Sequence, residues 1–227
     1  VSSEGVGAPL GYQRPLVGNG EVSLLVGPLG GVGAGPDGVV GPPIFRAGRR
    51  YGSPRRFELI PYGFYDIVDE VGGSPVDTVL SWEQSLDLTQ GCVRCRSRYA
   101  GGVEICTTVL APLGWDALLI RQRVSVDTPS SVSVDQRFVY AFSADANTGV
   151  LPPGVRLLPT PMGRTGSRLL YEAAGQTEFV GCVLLGAMGI ATYASSANRL
   201  EAVVRNQASL GRPSEACWLL TFSDTSF

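Results

Sequence analysis

Short runs of β-branched and aromatic residues fill this sequence, and glycine or proline interrupts them about every ten residues. The chain contains 30 glycines and 16 prolines among 227 residues. In Ser131 to Phe142, Val132, Val134 and Phe138 alternate with mainly polar residues. A period of two is typical of a strand with one buried face, whereas an amphipathic helix repeats about every 3.6 residues. The spacing predicts an all-β sandwich or barrel with few or no helices.

The length suits a single β domain over residues 1–227. Residues 1–17 read as an irregular lead-in and residues 143–168 as a long loop. Gly18-Asn19-Gly20 and Gly101-Gly102 are predicted turns, because these residues tolerate positive φ. The predicted strands are Glu21–Val26, Val39–Phe45, Phe57–Ile60, Tyr62–Val68, Ser81–Leu88, Cys92–Tyr99, Val103–Leu110, Ala117–Val126, Ser131–Phe142, Leu169–Ala173, Phe179–Tyr193 as one or two strands, Leu200–Val204 and Cys217–Phe222.

The chain has no histidine, and all 18 of its basic residues are arginine. It therefore lacks the commonest general base, the commonest metal ligand and the amine that forms Schiff bases. A Ser-His-Asp or Cys-His arrangement is excluded. Carboxylate pairs stay open, but Asp69-Glu70, just before Gly72-Gly73, is predicted to be a solvated turn. We expect no catalytic residue in this chain alone, and an enzyme using carboxylates within the sandwich is a minor alternative.

Neither a metal nor a cofactor is predicted. Cys92-Val-Arg-Cys95 has no second pair and no histidine to complete a zinc site. Buried or half-buried free thiols are favoured for the five cysteines, over a single disulfide or a metal or redox role. Gly33 to Gly38 matches the dinucleotide fingerprint, which must open a helix. Pro36 and the following Pro42-Pro43 prevent that helix, so this stretch is predicted to be a loop.

The charge and hydropathy of the chain limit its partners. A net charge of -2 argues against nucleic acid, which requires a clear basic excess. No apolar run approaches the ~20 residues of a membrane span. The lack of a lysine-rich surface slightly favours a periplasmic or secreted setting. The chain begins at Val1 without methionine, and we expect it to be part of a longer protein.

Aromatic and basic side chains are the candidate binding residues. The basic-aromatic patch comprises Arg46, Arg49, Arg50, Tyr51, Arg55, Arg56 and Phe57. Arginine can bind carboxylate or phosphate and tyrosine can stack on a ring, although a surface loop that pairs with a neighbouring domain is favoured. Trp82 and Trp115 stand at strand or loop junctions. An exposed tryptophan there could stack on the apolar face of a sugar, but burial is the commoner case.

Several ordered stretches resemble a known family. They are Gly18-Asn19-Gly20-Glu21-Val22-Ser23-Leu24-Leu25-Val26-Gly27, then Trp82 to Gly91 with Gln84, Leu86, Asp87 and Leu88, then Val103 to Val109, and Asp116 to Arg121. Together they resemble the N-terminal β-sandwich of glycoside hydrolases and phosphorylases whose catalytic domain is an (α/α)6 barrel, such as maltose and cellobiose phosphorylases. The resemblance covers about residues 16–126. Ser23 departs from it, because the family usually has glycine there.

The resemblance implies a supersandwich of two large antiparallel sheets, similar to the galactose mutarotase fold. It implies a non-catalytic N-terminal domain of a bacterial carbohydrate-active enzyme, because the family's catalytic carboxyl groups lie on the barrel. The implied partners are carbohydrate and a catalytic (α/α)6 barrel in the parent chain, with a homodimer contact as a further expectation. The residues expected at the rim of the sugar pocket are Asn19, Arg46, Tyr51 and Trp82.

Two alternatives from other classes stay open. A stand-alone carbohydrate-binding module would present an exposed aromatic platform and bind a glycan without any further domain. A structural jelly-roll subunit, such as a shell or appendage protein, would form large symmetric assemblies. A fold alone does not decide between these functions.

Overall fold

The fold was analysed in a computed structural model, which describes residues 2–4, 12–19, 22–30, 43–47, 59–115, 117–141, 156–161, 166–173, 176–187, 190–196 and 199–223. All regular secondary structure in these ranges is β-strand. No helix in the described ranges has the length and apolar character to cross a membrane. The strands are β1 Ser2–Glu4, β2 Leu16–Gly18, β3 Val22–Leu25, β4 Pro43–Ala47, β5 Leu59–Val71, β6 Ser74–Pro75, β7 Val79–Asp87, β8 Cys92–Tyr99, β9 Val103–Leu110, β10 Ala117–Val126, β11 Val132–Ala141, β12 Arg156–Pro161, β13 Gly166–Ala173, β14 Gln176–Ala187, β15 Ile190–Ser196, β16 Arg199–Ala208 and β17 Ser214–Ser223.

The strands form two sheets in which neighbouring strands are antiparallel. The first sheet has nine strands in the order β1-β7-β8-β9-β10-β17-β14-β13-β12. The second has the order β15-β16-β11-β5-β4-β3-β2, and β6 pairs with β5. In the first sheet β7 to β10 form a meander, since each strand pairs with the next along the chain. The predicted all-β class with antiparallel sheets is therefore confirmed.

Large apolar side chains from both sheets meet between the layers. Leu24 and Ile67 of the second sheet share one buried cluster with Leu118 and Ile120 of the first. Phe138 on β11 stacks on Trp218 on β17, with ring centroids 5.6 Å apart. Fully burying a side chain of this kind contributes about 1.5–3 kcal/mol, so this interlayer core is the main stabilising feature.

The alternation of apolar and polar residues predicted the strand bounds most accurately in β8, β9 and β10. Cys92–Tyr99, Val103–Leu110 and Ala117–Val126 are observed with the predicted bounds. The Gly101-Gly102 turn is also confirmed, with φ of 77° and 73°. In β9 every second side chain is buried, as expected for a strand with one face on the core.

Three predictions about strand positions are wrong. The predicted loop 143–168 contains β12 and the start of β13, and the lead-in 1–17 contains β1 and the start of β2. The prolines of β12 suggested a loop. They are tolerated because β12 is an edge strand, the last in the order of the first sheet. The separate strands predicted on either side of Pro61 are one strand, β5. The pairing of β4 with β5 is irregular at Ile44 and Phe45, and this local shift accommodates the proline.

The solvated turn predicted at Asp69-Glu70 is also wrong. Asp69 lies within β5 and is only 1% exposed. Its Oδ2 accepts a hydrogen bond of 2.9 Å from Gln122 Nε2. The turn comes later, at Gly72 and Gly73, where φ is positive. Burial of this acid is possible because a partner on the opposite sheet is placed to donate to it.

The cysteines described at side-chain level are free. Cys92 and Cys95 are buried, while Cys106 and Cys217 are half-buried. The prediction of free thiols is confirmed for these four residues. The Gly33 to Gly38 stretch lies outside the described residues, as does the basic-aromatic patch beyond Ala47.

Candidate functional site

The predicted turn at Asn19 joins β2 to β3. Asn19 N donates to Val22 O over 3.2 Å, and Val22 N donates to Asn19 Oδ1 over 3.0 Å. A Cβ on Gly18 would lie 2.9 Å from Ser23 Cβ, closer than real Cβ atoms approach other atoms. Glycine at position 18 therefore lets the two strands come together.

The amide of Asn19 also reaches across to the first sheet. Its Nδ2 donates to Pro112 O over 2.6 Å and to Trp115 O over 2.7 Å. These carbonyl groups belong to residues 111–115, which follow β9 and which we call the Trp115 loop. Within it, Trp115 N donates to Pro112 O over 3.3 Å, and Ala117 N donates to Trp115 O over 2.8 Å. One side chain thus fixes a turn of the second sheet to a loop of the first.

The Trp115 loop carries two exposed large apolar side chains. The side chain of Trp115 is 57% exposed and that of Leu113 is 85% exposed. By contrast, Trp82 and Trp218 are 2% and 0% exposed. The chain has three tryptophans, so Trp115 is the one that presents its indole to solvent.

Gln84 also connects the two layers, from inside the core. Its Nε2 donates to Gly27 O over 2.8 Å and to Val26 O over 3.3 Å, just after β3. Its Oε1 accepts from the hydroxyl of Tyr12 over 2.7 Å. Because Gln84 stands on β7, these bonds connect the two layers at the end of β3.

The nearby thiol of Cys95 is not a reactive group. Gln84 Nε2 lies 3.4 Å from Cys95 Sγ. Burial raises the pKa of Cys95 to about 12, and the hydrogen bond with Gln84 offsets only part of that rise. Since the thiolate is the nucleophile, this cysteine stays protonated near neutral pH and serves the packing of the core.

The four residues predicted at a pocket rim have different positions. Asn19 is in the turn described above. Trp82 lies in the core, where its ring meets that of Tyr12 at 74° with centroids 5.5 Å apart. Arg46 stands on β4 opposite Val22, so its strand adjoins the strand that follows the Asn19 turn. Tyr51 lies outside the described residues. The rim role of these residues stays a prediction.

The sequence did not predict the side-chain hydrogen bonds that connect the two layers here. The amides of Asn19 and Gln84 act through backbone carbonyl groups far away in sequence, and such partners leave no pattern of residue types. Trp115 was recognised as a candidate for stacking on a sugar, together with Trp82. What distinguishes them is burial: Trp82 faces the core from a strand, whereas Trp115 follows Gly114 in a loop.

A groove of about 410 Å³ lies at the opposite end of the first sheet. Leu80 and Leu210 supply apolar walls, and Arg98, Glu104 and Asp127 are its charged lining residues. The volume falls within the range of small-molecule sites. The Arg98 guanidinium is already paired with Glu104 over 3.3 Å.

A chain of buried polar side chains crosses between the sheets in the middle of the molecule. Gln122 Nε2 donates to Asp69, as described above. Gln136 Nε2 donates to Gln122 Oε1 over 2.8 Å, and Ser214 Oγ donates to Gln136 Oε1 over 2.6 Å. This series of hydrogen bonds contains two amides, a hydroxyl and a single acid, and it joins β5 and β11 of the second sheet to β10 and β17 of the first. It lacks the facing pair of carboxyl groups that glycosidases typically use.

Arginine and glutamate cover the outer face of the first sheet. Arg96 and Arg98 on β8 pair with Glu104 on β9, with Arg96 Nη2 at 2.8 Å from Glu104 Oε2. Arg121 on β10 pairs with Glu215 on β17 over 2.7 Å. Burial alone would raise the pKa of Glu104, but the hydrogen bonds from Arg96 and Arg98 outweigh it and lower the pKa. Among the described residues, no group of three or more potential metal ligands is present.

No protein-family model matches the sequence, and no curated protein matches it. Solved structures do match. A protein described as a kojibiose phosphorylase, from the human microbiome, aligns over 92% of this chain and 29% of its own length, with a TM-score of 0.65 and 10% identity. A bacterial glucoamylase in complex with acarbose aligns over 100% of this chain and 34% of its own length, with a TM-score of 0.54 and 8% identity.

The chain thus spans about a third of the length of these two proteins. At such low identity the similarity shows the fold alone. The structural neighbours are chains of glycoside hydrolases and phosphorylases, and this chain shares the β-sandwich fold of one part of them.

Proposed function

We propose that this chain is a non-catalytic N-terminal domain of a larger carbohydrate-active enzyme, a glycoside hydrolase or a phosphorylase. It would support a separate catalytic (α/α)6 barrel and shape the rim of the sugar pocket. The observation that supports this most is the unequal coverage: nearly all of this chain aligns with 29% and 34% of two longer enzymes.

The chemistry of the chain agrees with a supporting role. Without histidine or lysine, acid–base catalysis on a glycoside would require a pair of carboxyl groups. The buried Asp69 is hydrogen bonded to Gln122. On the outer face, Glu104 and Glu215 are paired with arginines. These three acids are engaged in contacts within the sandwich, which supports the proposal that the catalytic carboxyl groups come from another part of the enzyme.

The rim would be built at the end of the sandwich that holds Asn19. That side chain already fixes the Trp115 loop, and Arg46 stands on the strand next to β3. We include Asn19, Arg46 and Tyr51 as candidate rim residues. Trp82 would join them only if domain contacts exposed its side chain.

The test compares this chain with a longer one that carries the catalytic barrel. Both are assayed on aryl glycosides and on oligosaccharides, with and without inorganic phosphate. We expect turnover by the longer protein and none by residues 1–227. Equal activity of the short chain would contradict the proposal.

A stand-alone carbohydrate-binding module is the alternative, favoured by the exposed indole of Trp115. The two functions differ in what removal of this domain does to a longer enzyme. Loss of an accessory domain abolishes folding or turnover of the barrel, whereas loss of an independent binding module leaves turnover of short soluble substrates unchanged.

A further inference from the structure

We infer that Trp115 is a saccharide-binding residue on which a pyranose ring stacks at the Asn19 end of the sandwich. The ligand class rests on the proposed function, because that function makes carbohydrate the expected ligand. The inference adds a residue and a mode of contact to it.

The first step is the contrast among the three tryptophans. Trp82 and Trp218 are in the core, while Trp115 is 57% exposed. An indole offers a large apolar surface, and leaving it in water forfeits the stabilisation that burial gives. The other two indoles are committed to the core, so Trp115 is the indole of this chain that is available to a ligand.

The second step is the rigidity of the loop. The carbonyl of Trp115 accepts from Asn19 Nδ2 over 2.7 Å and from Ala117 N over 2.8 Å, while its own N–H donates to Pro112 O over 3.3 Å. The backbone is therefore held on both sides of the exposed ring. Binding to a group that is already fixed loses little conformational entropy, which favours a recognition role.

The third step is the class of ligand. Asn19 and the Trp115 loop carry no charge, so they provide no attraction for a phosphate or another anion. The basic residue proposed for the rim, Arg46, stands on β4 of the second sheet. Nucleobases also stack on aromatic rings, but nucleic acid binding needs a basic excess, and the net charge is -2. A pyranose is neutral, and its C–H face matches the apolar face of an indole in kind and size.

The exposed Leu113 beside Trp115 suits a protein contact as well as a sugar contact. The fixed backbone around the aromatic ring and the proposed function in a carbohydrate-active enzyme favour the sugar. A protein contact, for instance with a second copy of this chain, is an outcome that the experiment identifies.

Intrinsic fluorescence tests the inference directly, because Trp115 is the indole that a solvent quencher reaches most easily. Acrylamide quenching of the chain is measured with kojibiose or maltotriose, and with sorbitol as an acyclic control. We expect either saccharide to reduce the quenching constant by about half, since a stacked sugar covers the ring. Sorbitol should leave it unchanged, and Trp115→Phe should remove most of the quenchable signal.

Calorimetric titration of the same saccharides gives the matched comparison. Trp115→Ala should weaken binding by about tenfold or more, as removal of a central aromatic contact does. Leu210→Ala removes an exposed side chain at the opposite end and should bind as the wild type does. Asn19→Asp keeps an acceptor for Val22 N but loses the two donors to the loop, and it should weaken binding by a smaller factor.

Three results would overturn the inference. They are an unchanged affinity in Trp115→Ala, no binding of any saccharide tested, and protection of Trp115 that depends on protein concentration instead of on saccharide. The last would show that a second copy covers the ring. None of these bears on the activity comparison between the short and long chains, so failure here is distinguishable from failure of the proposed function.

Discussion

The two faces of β10 use polar side chains in opposite ways. Gln122 points into the core, is fully buried, and bonds to Asp69 and Gln136 of the second sheet. Its neighbour Arg121 points outward and pairs with Glu215 of the adjacent strand, with a side chain 62% exposed. The inner contacts connect the two sheets. The outer contacts connect neighbouring strands that backbone hydrogen bonds already hold together.

This contrast indicates which polar contacts specify the fold. A buried polar group without its partner costs about 1–3 kcal/mol, so the inner amides favour one alignment of the two sheets over others. An exposed ion pair contributes about 0–1 kcal/mol, because water solvates its members when they separate. Loss of an inner contact should therefore lower the free energy of unfolding far more than loss of an outer one.

The largest effect is expected from Gln122→Met, which keeps the size of the side chain but removes its amide. Asp69 Oδ2 loses the donor described above, and Gln136 Nε2 loses its acceptor. We expect the free energy of unfolding to fall by about 2–4 kcal/mol. Urea denaturation followed by circular dichroism measures it. A loss below about 1 kcal/mol would show that the buried chain is not a stabilising feature.

Gln84→Met should have the next largest effect. It removes the hydrogen bonds to Val26 O, Gly27 O and the Tyr12 hydroxyl, and we expect a loss of about 1–3 kcal/mol by the same denaturation. Ser85→Ala is the matched control, since Ser85 is the exposed neighbour on β7 and should change stability by less than about 0.5 kcal/mol. Equal effects of the two substitutions would contradict the role of Gln84 between the layers.

Arg121→Met tests the outer face of β10 and sharpens the comparison with Gln122→Met. The pair with Glu215 is exposed, so we expect a change of about 0–1 kcal/mol in the free energy of unfolding. The difference from wild type should shrink in high salt because the charges are screened. A loss as large as that of Gln122→Met would remove the distinction between the two faces.

The smallest effect concerns Glu104 and pH. Since the folded protein lowers the pKa of this carboxyl, its contribution to stability is present above the pKa in the unfolded chain. That contribution is lost as the pH falls through the lowered pKa in the folded state. Denaturation at pH 6 and pH 3 should show a slightly larger loss for wild type than for Glu104→Gln. The same loss in both proteins would exclude Glu104 as a contributor.

The class of fold follows from the sequence because burial on one side of a sheet imposes a period of two. That period holds throughout β9 and, after the first residue, in β8 and β10, where the predicted bounds agree with the observed ones. The predicted strand bounds fail at β5 and β12, where proline suggested a break. Proline removes one donor from a ladder, and neighbouring strands can accommodate that loss at an irregularity or at the end of a sheet.

The arrangement of the candidate site was harder to predict from the sequence than the fold class. The Asn19 turn could be predicted, because asparagine beside glycine favours a hairpin. The partners of its amide could not, since they are backbone carbonyl groups more than ninety residues away in sequence. The burial of Asp69 was missed for a similar reason: its donor, Gln122, belongs to the opposite sheet. Local patterns report which face a residue occupies, but contacts between layers depend on how the sheets are superposed.

One consequence concerns the short strand β1. Ser2–Glu4 pairs with Ser81, Trp82 and Glu83 of β7 and is the outermost strand of the first sheet on that side. Deleting it would uncover the hydrogen-bonding groups of β7, a nine-residue strand. Uncovered strand edges recruit other chains, so a version of this protein trimmed to begin after Glu4 should aggregate more readily than the intact chain.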